Sequence, residues 1–231
     1  MKVIITRPEE DAAALAAKLK AMGHMPMIMP LIKIVARPNV QIPEKHYQAM
    51  CLTSANGVRS LKDISHLRNV RLIAVGQQTL LAAKAAGFSN GTAEGGDVDG
   101  LVTYVKKACV PTLGPILYIS GSETSGDLEG KLSAAGFAVD RITTYDAVPA
   151  HLHGQENKIL AADGVVLYSP RTAKIWRHSI EGINLDVAHL KHICLSQNVA
   201  AALPQSWIKM VAQSPTEHDL LAMLDSVAKA E

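Results

Sequence analysis

Four segments of this chain occur twice, in the same order. Residues 15–23 read LAAKLKAMG and residues 128–136 read LEGKLSAAG; AMCLTSANGVRSL at 49–61 is matched by GVVLYSPRTAKIW at 164–176. IAVGQQTLLA from Ile73 pairs with ICLSQNVAAA from Ile193, and AEGGDVDGLV from Ala93 pairs with AQSPTEHDLL from Ala212. Each match alone is a common pattern, but four in one order mark an internal duplication. The fold must therefore accommodate two similar halves.

The repeated unit is legible in its periodicity. Short apolar, β-rich runs at residues 2–6, 27–34, 49–53, 71–75, 116–119, 141–147, 164–168 and 192–195 are expected to be strands. Segments of helical period begin near Glu9, Asn56, Gln78, Val98, Asp127, Arg171, Asn198 and Glu217. Buried strands alternating with helices predict parallel sheets in an α/β architecture. Two like halves also predict a cleft between them, where ligand sites often lie.

Composition narrows the function. Hydrophobic residues make up 48% of the 231 and charged ones 19%, enough for a sizeable core. No apolar run approaches the roughly 18–20 residues of a membrane span, and MKVIITRPEED has the character of a first strand, not a signal peptide. The three cysteines, Cys51, Cys109 and Cys194, are widely spaced and odd in number, which argues for a reducing cytoplasm without disulfides. A net charge of +2 without a Lys/Arg block, and only 4% aromatics, argue against nucleic-acid binding.

Several site types fall away on spacing. His151-x-His153 and His189-x-x-His192 have no Cys, Asp or Glu cluster at ligand distance, so no metal is expected. Gly121 and Gly126 have phosphate-loop spacing but are followed by Asp-Leu, not Lys then Ser/Thr, and GxGxxG and GxSxG are both absent. A phospho-receiver needs acids where Thr6-Arg7 and Thr53-Ser54 stand. A non-catalytic two-domain protein that binds a small ligand, or regulates, remains the alternative class.

The residues also carry a family likeness. TRPE after the first strand, TSANGV, AVGQQT, AAGF ending the second-half helix, TYDAV, YSPRTA and SPTEHDLL occur in that order. The ordered set resembles the uroporphyrinogen-III synthase family over nearly the whole chain. The resemblance implies two parallel-sheet α/β domains joined by a two-stranded antiparallel connector, with the active-site cleft between them. PLIKIVAR (30–37) and RITTYDAVPA (141–150) would be the connector strands. The domains would be residues 1–34 plus 149–231, and 35–148. The repeat alone would place a cut near residues 111–115, so this boundary rests on the resemblance. Prolines 30, 38, 43 and 149 at the junction would permit closure on a substrate.

The activity so implied is a lyase reaction of tetrapyrrole (haem) biosynthesis in the cytoplasm. Hydroxymethylbilane, a linear tetrapyrrole with eight carboxylates, is closed to uroporphyrinogen III with its last ring inverted and water lost. No metal or organic cofactor is implied. A monomer is expected, with transient handover from hydroxymethylbilane synthase.

The loops suit such a ligand, because helix N-termini hold carboxylates through free amides and the helix dipole without many basic side chains. The candidate substrate-binding residues are Thr6 and Arg7; Ser54, Ala55 and Asn56; Gln77 and Thr79; Ser120, Gly121 and Ser122; Ser169, Pro170 and Arg171; Ser196; and Thr216. Capping alone is the plainer role of the hydroxyls and of Asn56. Arg59 and Lys174, deeper in their helices, read as solvated surface. Two departures from the family pattern matter: Glu123-Thr124-Ser125-Gly126 lacks a basic residue common in that turn, and Val199 replaces a common hydroxyl. Tyr145, at the family's connector tyrosine, is the catalytic candidate. A phenol ionises near pH 10, so it can donate a proton at neutral pH.

Overall fold

The computed structural model describes residues 1–62 and 65–229. The first half of the chain runs β1 (Lys2–Ile5), α1 (Glu9–Ala21), β2 (Met25–Ile28), β3 (Ile32–Ala36), β4 (Ala49–Leu52), α2 (Ala55–Arg59) and β5 (Leu72–Ala74). It continues with α3 (Gln77–Ala85), β6 (Gly91–Ala93), α4 (Val98–Ala108), β7 (Ile116–Gly121), α5 (Leu128–Ala134) and β8 (Val139–Pro149). The remainder is α6 (Glu156–Leu160), β9 (Gly164–Leu167), α7 (Pro170–Gly182), β10 (Lys191–Cys194), α8 (Gln197–Ala200), β11 (Lys209–Val211) and α9 (Glu217–Lys229).

These elements form two compact units, Met1–Lys33 with Val148–Glu231, and Ile34–Ala147. The first contains a parallel sheet of order β11-β10-β9-β1-β2, and the second a six-stranded sheet of order β3-β8-β7-β4-β5-β6. From β8 to β6 every neighbouring pair in the second sheet is parallel. Parallel sheets covered on both faces need strands apolar on both faces, and KVII, GVVL, AMCL and ILYISG are buried almost throughout.

The duplication maps onto this topology strand for strand. The repeats equate β1-α1-β2 with β7-α5-β8, β9 with β4, β10 with β5, and β11 with β6; under that pairing the five-stranded order reproduces five of the six positions of the other sheet. Each unit thus joins one β-α-β piece to a block of three strands. In the first unit that piece is N-terminal, and Val3 pairs with Gly164.

Each sheet has a core on either face. Alternation sends Ile4, Val165, Leu167 and Cys194 to one side of the first sheet, with Trp176, and Val3, Ile5, Val166 and Ile193 to the other, with Leu15, Leu19, Leu220 and Leu224. In the second, Met50, Leu52, Leu72 and Leu117 pack on one face, and Cys51, Ile73, Ile116 and Tyr118 on the other. The helices carry local signals that agree with this arrangement. Helix α1 opens with Glu9, Glu10 and Asp11 and closes with Lys18 and Lys20, matching the dipole. Asp97 and Asp127 accept the Gly100 and Gly130 amides and cap α4 and α5.

A titratable side chain is fully enclosed in the first unit. His192 is 0% exposed, stacked on Trp207 with centroids 4.6 Å apart and edge-on to Trp176 at 6.3 Å; its Nδ1 lies 3.1 Å from the Ile208 carbonyl. Burial pushes its pKa down to about 4. The unfolded chain therefore binds this proton more readily than the folded one. Stability is full above the ordinary histidine range and falls as pH drops through 6.5 towards 4, by about 2 kcal/mol between pH 6.5 and 5. Denaturant unfolding at pH 7 and pH 5 should show this loss, and His192→Phe should flatten it.

Candidate functional site

In a parallel sheet, the turn after each strand opens at one edge, and helix N-termini gather there. In the first unit that edge holds Thr6 and Arg7 after β1, Ser169 to Arg171 after β9, Ser196 after β10 and Thr216 beyond β11. Strands β1, β9, β10 and β11 are consecutive neighbours, so these residues share one edge. Ser169 accepts the Thr172 amide at 3.1 Å, with Pro170 in the first turn of α7. Thr216 accepts the Asp219 amide at 3.2 Å and so caps α9. Ser196 precedes α8 but makes no capping bond. Thr6 is different: it is 1% exposed and its hydroxyl donates to the Val166 carbonyl at 2.7 Å, tying β1 to β9.

The same edge carries a cluster with no sequence signal. Arg7 lies 4.8 Å over the Tyr168 ring and donates to Glu217 Oε2 at 3.2 Å. The Tyr168 hydroxyl donates to the same oxygen at 3.2 Å, and Lys18 Nζ to Oε1 at 2.5 Å. Burial, then the Glu217 charge, raises the Tyr168 pKa above the ordinary phenol range. Burial also pulls Glu217 upward, but the Lys18 hydrogen bond and the charges of Lys18 and Arg7 outweigh it, leaving its pKa below the usual carboxylate range.

In the second unit the corresponding edge collects Ser54 to Asn56 after β4, Gln77 and Thr79 after β5, and Ser120 to Ser122 at the end of β7. Ser54 caps α2 by accepting the Asn56 amide at 3.2 Å, and Asn56 in turn accepts from Arg59 at 3.0 Å. Ala55 is the first residue of α2 and Gln77 the first of α3, exposed, while Thr79 is 6% exposed.

The third turn departs from the expectation that each turn presents a helix N-terminus. Strand β7 continues through Ser120 and Gly121, both buried, and α5 is capped only at Asp127. Arg141 holds the strand end by donating to Ser120 Oγ at 3.0 Å and the Gly121 carbonyl at 3.2 Å, with its guanidinium over the Tyr118 ring. Apolar ILYI leads into Ser-Gly without a breaker, so sheet pairing extends two residues past the predicted end.

Tyr145 lies opposite this strand end. The ladder pairs Ser120 with Thr143 but Gly121 with Tyr145, so Thr144 is an extra residue on β8, a bulge of the kind that re-aims a side chain. Thr144 is 0% exposed and bonded to Ser60 Oγ at 2.6 Å. The Tyr145 ring, 7% exposed, packs on the bare Cα of Gly121: a Cβ there would sit 2.8 Å from its Cε2 and Cζ. Its carbonyl accepts the Ser122 amide at 3.0 Å. The hydroxyl has no hydrogen-bond partner among the described residues and is not sealed from solvent.

Neither Tyr145 nor any candidate substrate-binding residue lines one of the described cavities. One of about 330 Å³ is lined by Arg37, Asn39, Ser60, Lys62 and His66, and Ser60 is the partner of Thr144 at the β8 bulge. Among the described residues, no group of three or more His, Cys, Asp or Glu could hold a metal ion.

A family model described as uroporphyrinogen-III synthase HemD matches residues 13–222. The chain belongs to the uroporphyrinogen-III synthase HemD family. A porphyrin biosynthesis protein HemD of Ruminiclostridium josui is 25% identical over 98% of this chain and 48% of its own length. A putative uroporphyrinogen-III synthase of Methanocaldococcus jannaschii is 33% identical over 34% of this chain and 35% of its own length. The chain thus spans from about a third to about half the length of these curated relatives. The fold is that of solved uroporphyrinogen-III synthases. The Helicobacter pylori structure covers 98% of this chain and 99% of its own, with a TM-score of 0.69 at 16% identity. A mutant from Thermus thermophilus covers 100% and 98%, with 0.57 at 17%. No helix among the described residues is long and apolar enough to cross a membrane.

Proposed function

We propose that this chain is a uroporphyrinogen-III synthase in its own right, a lyase that removes the terminal hydroxyl of hydroxymethylbilane and closes the macrocycle with the last ring inverted. The observation that carries this reading is the family match over residues 13–222, which takes in every strand but β1 and every strand-end turn but that of Thr6 and Arg7. The geometry agrees with it. The capped N-termini of α7 and α9 in the first unit, and of α2 in the second, suit the carboxylates of a linear tetrapyrrole. The net charge of only +2 is then no obstacle to a polyanionic substrate.

Tyr145 is the acid in this reading. Its unpartnered hydroxyl donates a proton to the departing hydroxyl, which leaves as water. The already bridged α-carbon of the last ring bonds to the methylene that the hydroxyl has left, and its old bridge bond breaks. The bridge carbon re-bonds to that ring's free α-carbon, and the proton lost there restores the phenol, so no cofactor is required. Departure of hydroxyl from an electron-rich pyrrole is intrinsically easy. The larger task is to fold the bilane so that the inverted carbon reacts, an orientation effect. A monomer that receives its substrate from hydroxymethylbilane synthase belongs to the same reading.

The test is direct. Purified protein is supplied with hydroxymethylbilane, the products are oxidised, and type-I and type-III uroporphyrins are separated. Enrichment of the type-III isomer is expected; a product mixture identical to the protein-free control overturns the assignment.

A further inference from the structure

The Glu217 cluster does more than anchor a helix. A glutamate opening α9 is explained by the dipole of its own helix. That account does not explain why Lys18 from α1, Tyr168 from the turn after β9 and Arg7 from the turn between β1 and α1 all converge on its two oxygens. A guanidinium, an ammonium and a phenol hydroxyl around one carboxylate make a complete carboxylate-binding site. It lies on the strand-end edge of the first unit, beside the capped N-terminus of α7.

We propose that Glu217 is an internal occupant of a ligand-carboxylate subsite formed by Arg7, Tyr168 and Lys18, and that a carboxylate of the ligand displaces it. This inference rests on the polycarboxylate substrate of the preceding section. Displacement is feasible because Glu217 is 29% exposed at its side chain, so the released glutamate can turn into solvent. Arg7 keeps its stacking on Tyr168 and its contact with Asp11 at 3.6 Å, so the subsite persists when the glutamate leaves. The lowered pKa of Glu217 agrees with a carboxylate that stays charged and competes across the neutral range. Every ligand that binds must first shift that competition, which weakens its apparent affinity by the fraction of empty subsites.

The probe is uroporphyrin III, a fluorescent octacarboxylate, titrated into the wild type, Glu217→Gln and Glu217→Asp. Glutamine removes the competing charge at nearly constant shape; aspartate keeps the charge but is too short to reach Arg7 and Tyr168. Both are expected to bind the probe more tightly, by roughly 5–10-fold. The gain should vanish when Arg7→Gln is added. Unchanged or weaker binding in the variants overturns the proposal and leaves Glu217 as a helix anchor; so does a wild type and variants that do not bind the probe. If Glu217→Gln does not fold, Glu217→Asp decides. The two readings fail separately: tighter binding without type-III product keeps the subsite and removes the synthase assignment, and the converse keeps the synthase and removes the subsite.

Discussion

Tyr145→Phe is expected to lower turnover by roughly 10²–10⁴-fold, the usual contribution of a positioned general acid. The product should remain the type-III isomer. Phenylalanine retains the ring that fills the space over Gly121 and removes only the unpartnered hydroxyl, so the strand end should keep its shape. Steady-state rates and isomer analysis read the two consequences independently. An unchanged rate removes the acid role. A switch to the type-I isomer makes Tyr145 a group that folds the substrate, not one that protonates it.

The second large effect is expected at Gly121, which donates nothing itself. Its backbone is in extended strand, so alanine is conformationally permitted there; the obstacle is the Tyr145 ring, 2.8 Å from the new Cβ. The strand end is held by Arg141 and the bulge by Thr144 and Ser60, so the ring is the part that yields. A displacement near 1 Å can cost about 10²-fold in rate, and Gly121→Ala is expected to lose that much turnover. The decisive measurement is the double variant. If the loss comes from misplacing the phenol, adding Gly121→Ala to Tyr145→Phe should cost little more. Multiplicative losses would mean that Gly121 acts without Tyr145.

Much of this architecture was legible in the sequence. Every helix expected from periodicity begins within one residue of its predicted start, because strand ends here carry Ser, Gly, Asp or Pro that stop one element and cap the next. Strands β6 and β11 were missed: GTA and KMV are three residues long, half-buried and at sheet edges, too short for a period. Residues 27–34 were read as one run, but the chain breaks at Met29-Pro30-Leu31 and gives β2 and β3 in different sheets. The five-residue α6 was too short to register.

At the candidate site, the hydroxyl turns were legible because caps obey local rules, and Ser54, Ser169 and Thr216 do cap. The roles of Thr6 and Gly121 were not, since a hydrogen bond to Val166 and a ring from Tyr145 are tertiary facts. The Glu217 cluster could not be read at all. Its four members are scattered from Arg7 to Glu217, and the pairing of β1 with β9 and the packing of α9 beside α1 bring them together.

That pairing also bears on how the protein is made. On the ribosome β1 emerges well before its neighbour β9, which is synthesised only after the entire second unit has been translated. The second unit is one uninterrupted stretch and can fold as it leaves the exit tunnel. In the first unit β1 can pair with β2, but its β9 edge and the core face of α1 that meets α9 stay uncovered during that interval. Nascent chains stalled between β8 and β9 will therefore carry a finished second unit beside a half-covered β1-α1-β2 segment, and that segment is where a holding chaperone would have most to protect.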